Sequence, residues 1–86
     1  MQHELKISPE YFDAVDSDIK PFEVRRNDRP FRVGDSLWLR EFIDPSSQLY
    51  AGVPYTGRTT HKIITYILDN KEYCPEGFVI LGLKPL

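Results

Sequence analysis

Apolar and polar residues alternate along this chain in short runs, more often at the two-residue period of strands than at the period of helices. His3-Glu4-Leu5-Lys6-Ile7 predicts a first strand with Leu5 and Ile7 inward, and His3 and Lys6 turned away from the core. Ser8-Pro9-Glu10 then signals a helix start. Serine can cap the free N–H groups, proline fits the first helical position, and glutamate suits the positive end of the dipole. Tyr11, Phe12 and Val15 form the expected buried stripe. Asp16-Ser17-Asp18 and Pro21 stop the helix.

Phe22–Arg26 predicts a second strand, with Phe22 and Val24 toward a core and Glu23 and Arg25 on the opposite face. Asn27–Pro30 reads as a loop, Phe31–Val33 as a short edge segment, and Gly34-Asp35 as a turn. The third strand is Leu37–Ile43, with Leu37, Leu39, Glu41 and Ile43 on one face and Trp38, Arg40 and Phe42 on the other. Prolines, glycines and serines punctuate Asp44–Arg58, which predicts a long loop. Thr59–Leu68 is β-branched and aromatic and predicts a central strand. Phe78–Leu83 closes the chain. Five or six strands and one early helix make the fold mainly β with one or two short helices. A small antiparallel sheet covers its edges by curling into a β-barrel, with the helix across one mouth.

Composition narrows the class. Eighty-six residues fit one domain, 1–86. No run approaches the ~18 apolar residues of a membrane span, and Met1-Gln2-His3-Glu4 lacks the basic start of a signal peptide. Cys74 is the single cysteine, which rules out an internal disulfide and a thiolate zinc site. These features predict a cytoplasmic protein that does not engage membranes. His3 and His61 have no neighbours at metal-ligand spacing. No nucleophile elbow, phosphate loop or dinucleotide fingerprint is present. No cofactor is expected, and binding is favoured over catalysis. Oligomeric state is left open, with a monomer as the default.

Net charge is −2, but the charges are segregated. Residues 20–40 hold six basic and three acidic side chains, and the rest of the chain holds five basic and ten acidic ones. Charge runs often do no more than keep a strand face solvated. Here the run Lys20-Pro21-Phe22-Glu23-Val24-Arg25-Arg26-Asn27-Asp28-Arg29 combines cations with a carboxylate. Lys20, Arg25, Arg26 and Arg29 are expected to meet phosphate, and Glu23 to accept from a base edge or a sugar hydroxyl. Lys6 is a further candidate. Tyr55 and Arg58 flank a Thr-Gly turn and offer an aromatic ring and a guanidinium plane for unstacked bases. Trp38 and Tyr66 read as core or rim residues.

The ordered set of motifs resembles the ASCH domains of the PUA-like superfamily of small β-barrels, in particular a short phage and bacterial branch known only as a domain of unknown function. The resemblance is carried by His3–Ile7, Phe22–Arg29, Val33–Asp35, Tyr55–Arg58 and Gly77–Gly82. It implies a pseudobarrel with a cleft beside the helix and a link to RNA. One ASCH enzyme group deacetylates acetylcytidine with a Lys, a Thr and a Glu, and its strand motif is similar to Lys-x-x-Thr-x-Arg. Lys20 and Arg25 match that motif, whereas Glu23 replaces the threonine nucleophile. The expected function is therefore an RNA- or nucleotide-binding module. The alternatives are a small nucleoside hydrolase using Lys20 and Glu23 as acid–base groups, or a phage-type accessory protein that binds a host protein.

Overall fold

In the computed structural model, which describes residues 1–86, five strands and one helix follow in the order β1 (Gln2–Ile7), α1 (Pro9–Asp16), β2 (Phe22–Arg26), β3 (Ser36–Phe42), β4 (Tyr55–Leu68) and β5 (Phe78–Pro85). All five strands join one sheet in the order β1-β3-β4-β5-β2. The sheet is not purely antiparallel, because β1 pairs in parallel with β3. A parallel pair needs a long crossover. Here it runs through α1 and β2, a connection that no local pattern reveals.

The sheet curls into a half-barrel and stops short of closing. β1 and β2 are its two edges, and arginine side chains bridge them. Arg25 Nη1 donates to the Lys6 carbonyl at 2.8 Å, and Arg29 Nη1 donates to the Glu4 carbonyl at 3.3 Å. Two unpaired carbonyls on the β1 edge thus receive side-chain donors, which also blunts that edge against pairing with another chain.

Helix α1 lies against the concave face. Phe12 and Val15 join Leu5, Ile7, Leu37, Leu39, Ile64, Val79, Leu81 and Leu83 in one apolar cluster. Tyr11 does not belong to the stripe and is exposed. Ser8 sits at the N-cap in an extended conformation without a side-chain cap bond. Its carbonyl accepts from the N–H groups of Tyr11 and Phe12 instead.

Three further expectations change. His3 is buried, because it shares the parity of Leu5 and Ile7 and so faces the core with them. Phe31–Val33 is not a strand; Arg32–Asp35 is a hydrogen-bonded turn. Tyr55–Arg58 is not a loop turn but the start of β4. Between the pairs Arg40↔Thr59 and Phe42↔Tyr55 the register shifts. Gly57, at φ 93°, takes up the extra length in a left-handed conformation that glycine adopts without strain.

Asp35 organises the turn before β3. His3 Nε2 lies 2.8 Å from its Oδ2, the Arg32 N–H donates to the same oxygen at 3.1 Å, and the Met1 amino group donates to Oδ1 at 3.1 Å. The His3 bond is the main reason that the Asp35 carboxyl is held down to about 2 from the ordinary 3.8, against the opposing effect of desolvation. A depressed carboxyl stabilises the fold at pH values above its unfolded pKa, and that contribution disappears as pH falls through the folded value. The stability gap between wild type and Asp35→Asn is therefore expected to be full above about pH 4 and to close by about pH 2. Chemical denaturation across that window measures it. A gap that stays constant with pH would show that the carboxylate contributes nothing by its charge.

Candidate functional site: the seam between the edge strands

Strand β2 carries the site, with its faces opposite to the sequence expectation. Glu23 is only 4% exposed, whereas Phe22 is 40% and Val24 46% exposed. The cause is register. Glu23 stands opposite Leu81 in β5, and Arg25 stands opposite Val79. Both partners belong to the apolar cluster, so β5 sets the inward parity for β2. Alternation within Phe-Glu-Val-Arg gives the period but not which side meets the core.

The inward turn places Glu23 between two cations. Its Oε1 accepts from Lys20 Nζ at 3.2 Å, and its Oε2 lies 3.5 Å from Arg25 Nη1. Lys20 is also 4.5 Å from the Tyr11 ring centroid and 5.0 Å from that of Phe22. These groups line a cleft of about 470 Å³, walled by Ser8, Tyr11, Phe22 and Val24. A desolvated carboxylate flanked by two donors can accept further hydrogen bonds through its remaining lone pairs, and the cations can meet an anion. No buried side-chain polar atom is left without a partner, so the cradle is already formed.

Two more concavities continue along the seam. One, of about 310 Å³, is lined by Glu4, Leu5, Lys6, Arg25, Arg29 and Tyr55. The other, of about 540 Å³, lies between the start of α1 and the β3–β4 loop and shares Lys6 and Ser8 with its neighbours. The loop edge there is stiffened by Asp44, whose carboxyl is held below its usual range by the Ser46 N–H and hydroxyl.

The expected site residues therefore divide. Lys20, Glu23 and Arg25 converge in one cleft, and Lys6, Arg29 and Tyr55 line the adjoining one. Arg26 does not join them. It lies on the outer face, its guanidinium 5.0 Å from the Phe78 ring. Arg58 is engaged elsewhere: it pairs with Asp13 and Glu41 and covers the Phe12 ring at 4.2 Å. These contacts make it a strut between β4 and the helix, and the Asp13 hydrogen bond raises its pKa further above the ordinary value. Tyr11 and Phe22 are cleft residues that sequence reasoning assigned to the core. Tyr11 carried a readable signal, since it lies one position off the Phe12–Val15 stripe.

Cys74 is buried, its thiol 3.3 Å from the Leu68 carbonyl. The structure holds no group of three or more His, Cys, Asp or Glu side chains placed to bind a metal ion. No helix is long and apolar enough to cross a membrane.

The chain is 35% identical over 79 residues to an uncharacterised 12.9 kDa protein in the GpA 3′ region of Escherichia phage P2. That match covers 92% of this chain but 64% of the phage protein, so the chain spans less than two thirds of that relative. Residues 2–83, from the first strand into the last, match the family described as Domain of unknown function (DUF3850), and the chain belongs to that family.

Proposed function

We propose that the protein is a PUA-like, ASCH-related half-barrel that binds RNA or a nucleotide-like ligand in the seam between β1 and β2. The observation that supports this most is the Glu23 carboxylate, buried on a cleft floor between Lys20 and Arg25 with the Tyr11 ring on the cleft wall. Glu23 accepts from the amino or imino edge of a base. Lys20 and Arg25 meet phosphate or base carbonyls, and Tyr11 offers a stacking face. Lys6, Arg29 and Tyr55 extend the basic lining along the strand edge.

The test is a titration with short single-stranded RNA at low and at physiological salt. Affinity should fall as salt rises, because each neutralised phosphate releases counterions. Lys20→Ala should lower the salt slope by about one. Glu23→Gln should weaken binding without removing the salt dependence, since it changes base-edge recognition rather than charge attraction to phosphate. Absence of binding at low salt, or binding that ignores salt, contradicts the proposal.

A further inference from the structure

The outer face of the sheet carries a feature that begins at Lys6 and Tyr55 and extends well beyond the seam. Cross-strand register puts Lys6 beside Arg40, Glu4 beside Trp38, Trp38 beside His61, and Phe42 beside Tyr55. The side chains make an unbroken ladder of rings and cations. Lys6 Nζ stands 4.3 Å from the Phe42 ring centroid, and Phe42 meets Tyr55 edge-on at 5.1 Å. The Arg40 guanidinium lies 3.9 Å from the Tyr55 ring and 5.2 Å from Trp38. Trp38 lies parallel to His61 at 5.9 Å and 3°. Such pairs can stabilise a sheet by themselves. This ladder, however, lies opposite the apolar cluster, which Leu37 and Leu39 already fill from the inner face of β3.

We infer that the outer face of β1, β3 and β4, formed by Lys6, Phe42, Tyr55, Arg40, Trp38 and His61, is a stacking platform for single-stranded RNA. Aromatic rings interleaved with Arg and Lys on an open sheet face suit unstacked bases and a polyanionic backbone together. Charge bears on that occupant: Lys6 and Arg40 lie within the ladder, Glu4 pairs with Arg40 at 3.0 Å, and Asp44 faces Lys6 from the β3–β4 loop at the rim, so the cations on the face itself are opposed by Glu4. Tyr55 belongs both to the ladder and to the seam concavity that Arg25 and Arg29 line. One strand of RNA can therefore leave the seam and cross the sheet, with room for about two or three stacked bases as on other sheet platforms. The inference takes its occupant from the nucleic-acid reading of the seam and shares Lys6 and Tyr55 with it, but Phe42, Arg40, Trp38 and His61 belong to the platform alone.

Trp38 is the only tryptophan, so its fluorescence reports on this face alone. The experiment titrates the protein with a short fluorescein-labelled oligouridylate, following label anisotropy and Trp38 emission together. UMP, taken as a ligand for the seam, and a duplex of the same length serve as controls. The oligouridylate is expected to quench Trp38, and UMP and the duplex to leave it unchanged. Tyr55→Ala and Trp38→Ala should each weaken oligouridylate binding roughly five- to a hundredfold, as the loss of one stacked base does, while UMP affinity is unchanged in Trp38→Ala. If the oligouridylate binds with Trp38 emission unchanged and Trp38→Ala at wild-type affinity, the platform is overturned and the seam stands. If neither the oligouridylate nor UMP binds, both readings fall. Trp38 emission that changes with protein concentration alone would give this face to a second copy of the chain and overturn the inference.

Discussion

Phe12→Ala should destabilise the protein by about 3–5 kcal/mol, against a small loss for Phe22→Ala. Phe12 is 3% exposed and sits in the single apolar cluster. Its ring is also the surface over which Arg58 lies. Removing it leaves a cavity between helix and sheet and takes the packing surface from the Arg58 strut. A small domain has only about 5–15 kcal/mol of total stability, so the variant should melt far below wild type or fail to fold. Phe22 lies on the outer side of the edge strand, and water already reaches much of it. Its truncation removes little buried area and leaves no sealed cavity. Thermal melts of the two variants decide the matter. Equal losses would mean that β2 presents its faces the other way round.

The second large effect concerns a buried lysine. Lys62 is 4% exposed, and its ammonium donates to Asp18 Oδ1 at 2.6 Å and to the Asp16 carbonyl at 3.4 Å. The bond ties the end of α1 to the middle of β4. Asp18→Ala leaves a buried charge with only a long carbonyl contact. Breaking such a pair costs about 3–5 kcal/mol. The lower end is expected because the Asp18 side chain is itself 46% exposed, and water can enter in its place. Asp18 also holds a φ of 64°, a left-handed conformation that aspartate tolerates better than alanine. Lys62→Met should cost much less, since a neutral chain of similar length removes the charge that needs a partner. Denaturant midpoints for the two single variants and the double variant give the answer. If Lys62→Met is as damaging as Asp18→Ala, the ammonium itself, rather than its desolvation, is what the fold requires.

Much of the fold was legible because it depends on local pattern. β2 was bounded by alternation between a proline and a loop, and Thr59–Leu68 announced a central strand by its β-branched run. The first helix was marked by Ser8-Pro9 and ended by Asp16-Ser17-Asp18. What escaped was non-local. The parallel β1–β3 pair depends on a crossover of many residues, and the seam depends on side chains reaching between strands far apart in sequence. The inward face of β2 is decided by β5, not by β2. His3 shares the two-residue parity of Leu5 and Ile7, so its inward place follows from the strand period itself. The extra length of β4 was hidden because Gly57, a turn signal by composition, works here as a bulge within a strand.

The candidate site shows the same division. Lys20, Glu23 and Arg25 stood out as a charged run, and all three converge. Their setting did not stand out: Tyr11 and Phe22 read as core by hydrophobicity and instead line the cleft. Arg26 and Arg58 looked equivalent to their neighbours as charges. One is turned outward by parity and the other is held by Asp13 and Glu41, and neither fact is written in a local spacing. The Val33-Gly34-Asp35 motif, one of those that carry the family resemblance, is a structural hub through Asp35 and His3.

The most direct measurement is a two-dimensional amide NMR titration of the protein with a short single-stranded RNA at low salt. Binding in the seam predicts shifts concentrated at the amides of Ser8, Tyr11, Lys20, Glu23 and Arg25, strongly reduced in Glu23→Gln. Unperturbed seam amides at saturating RNA, with Glu23→Gln indistinguishable from wild type, would contradict it.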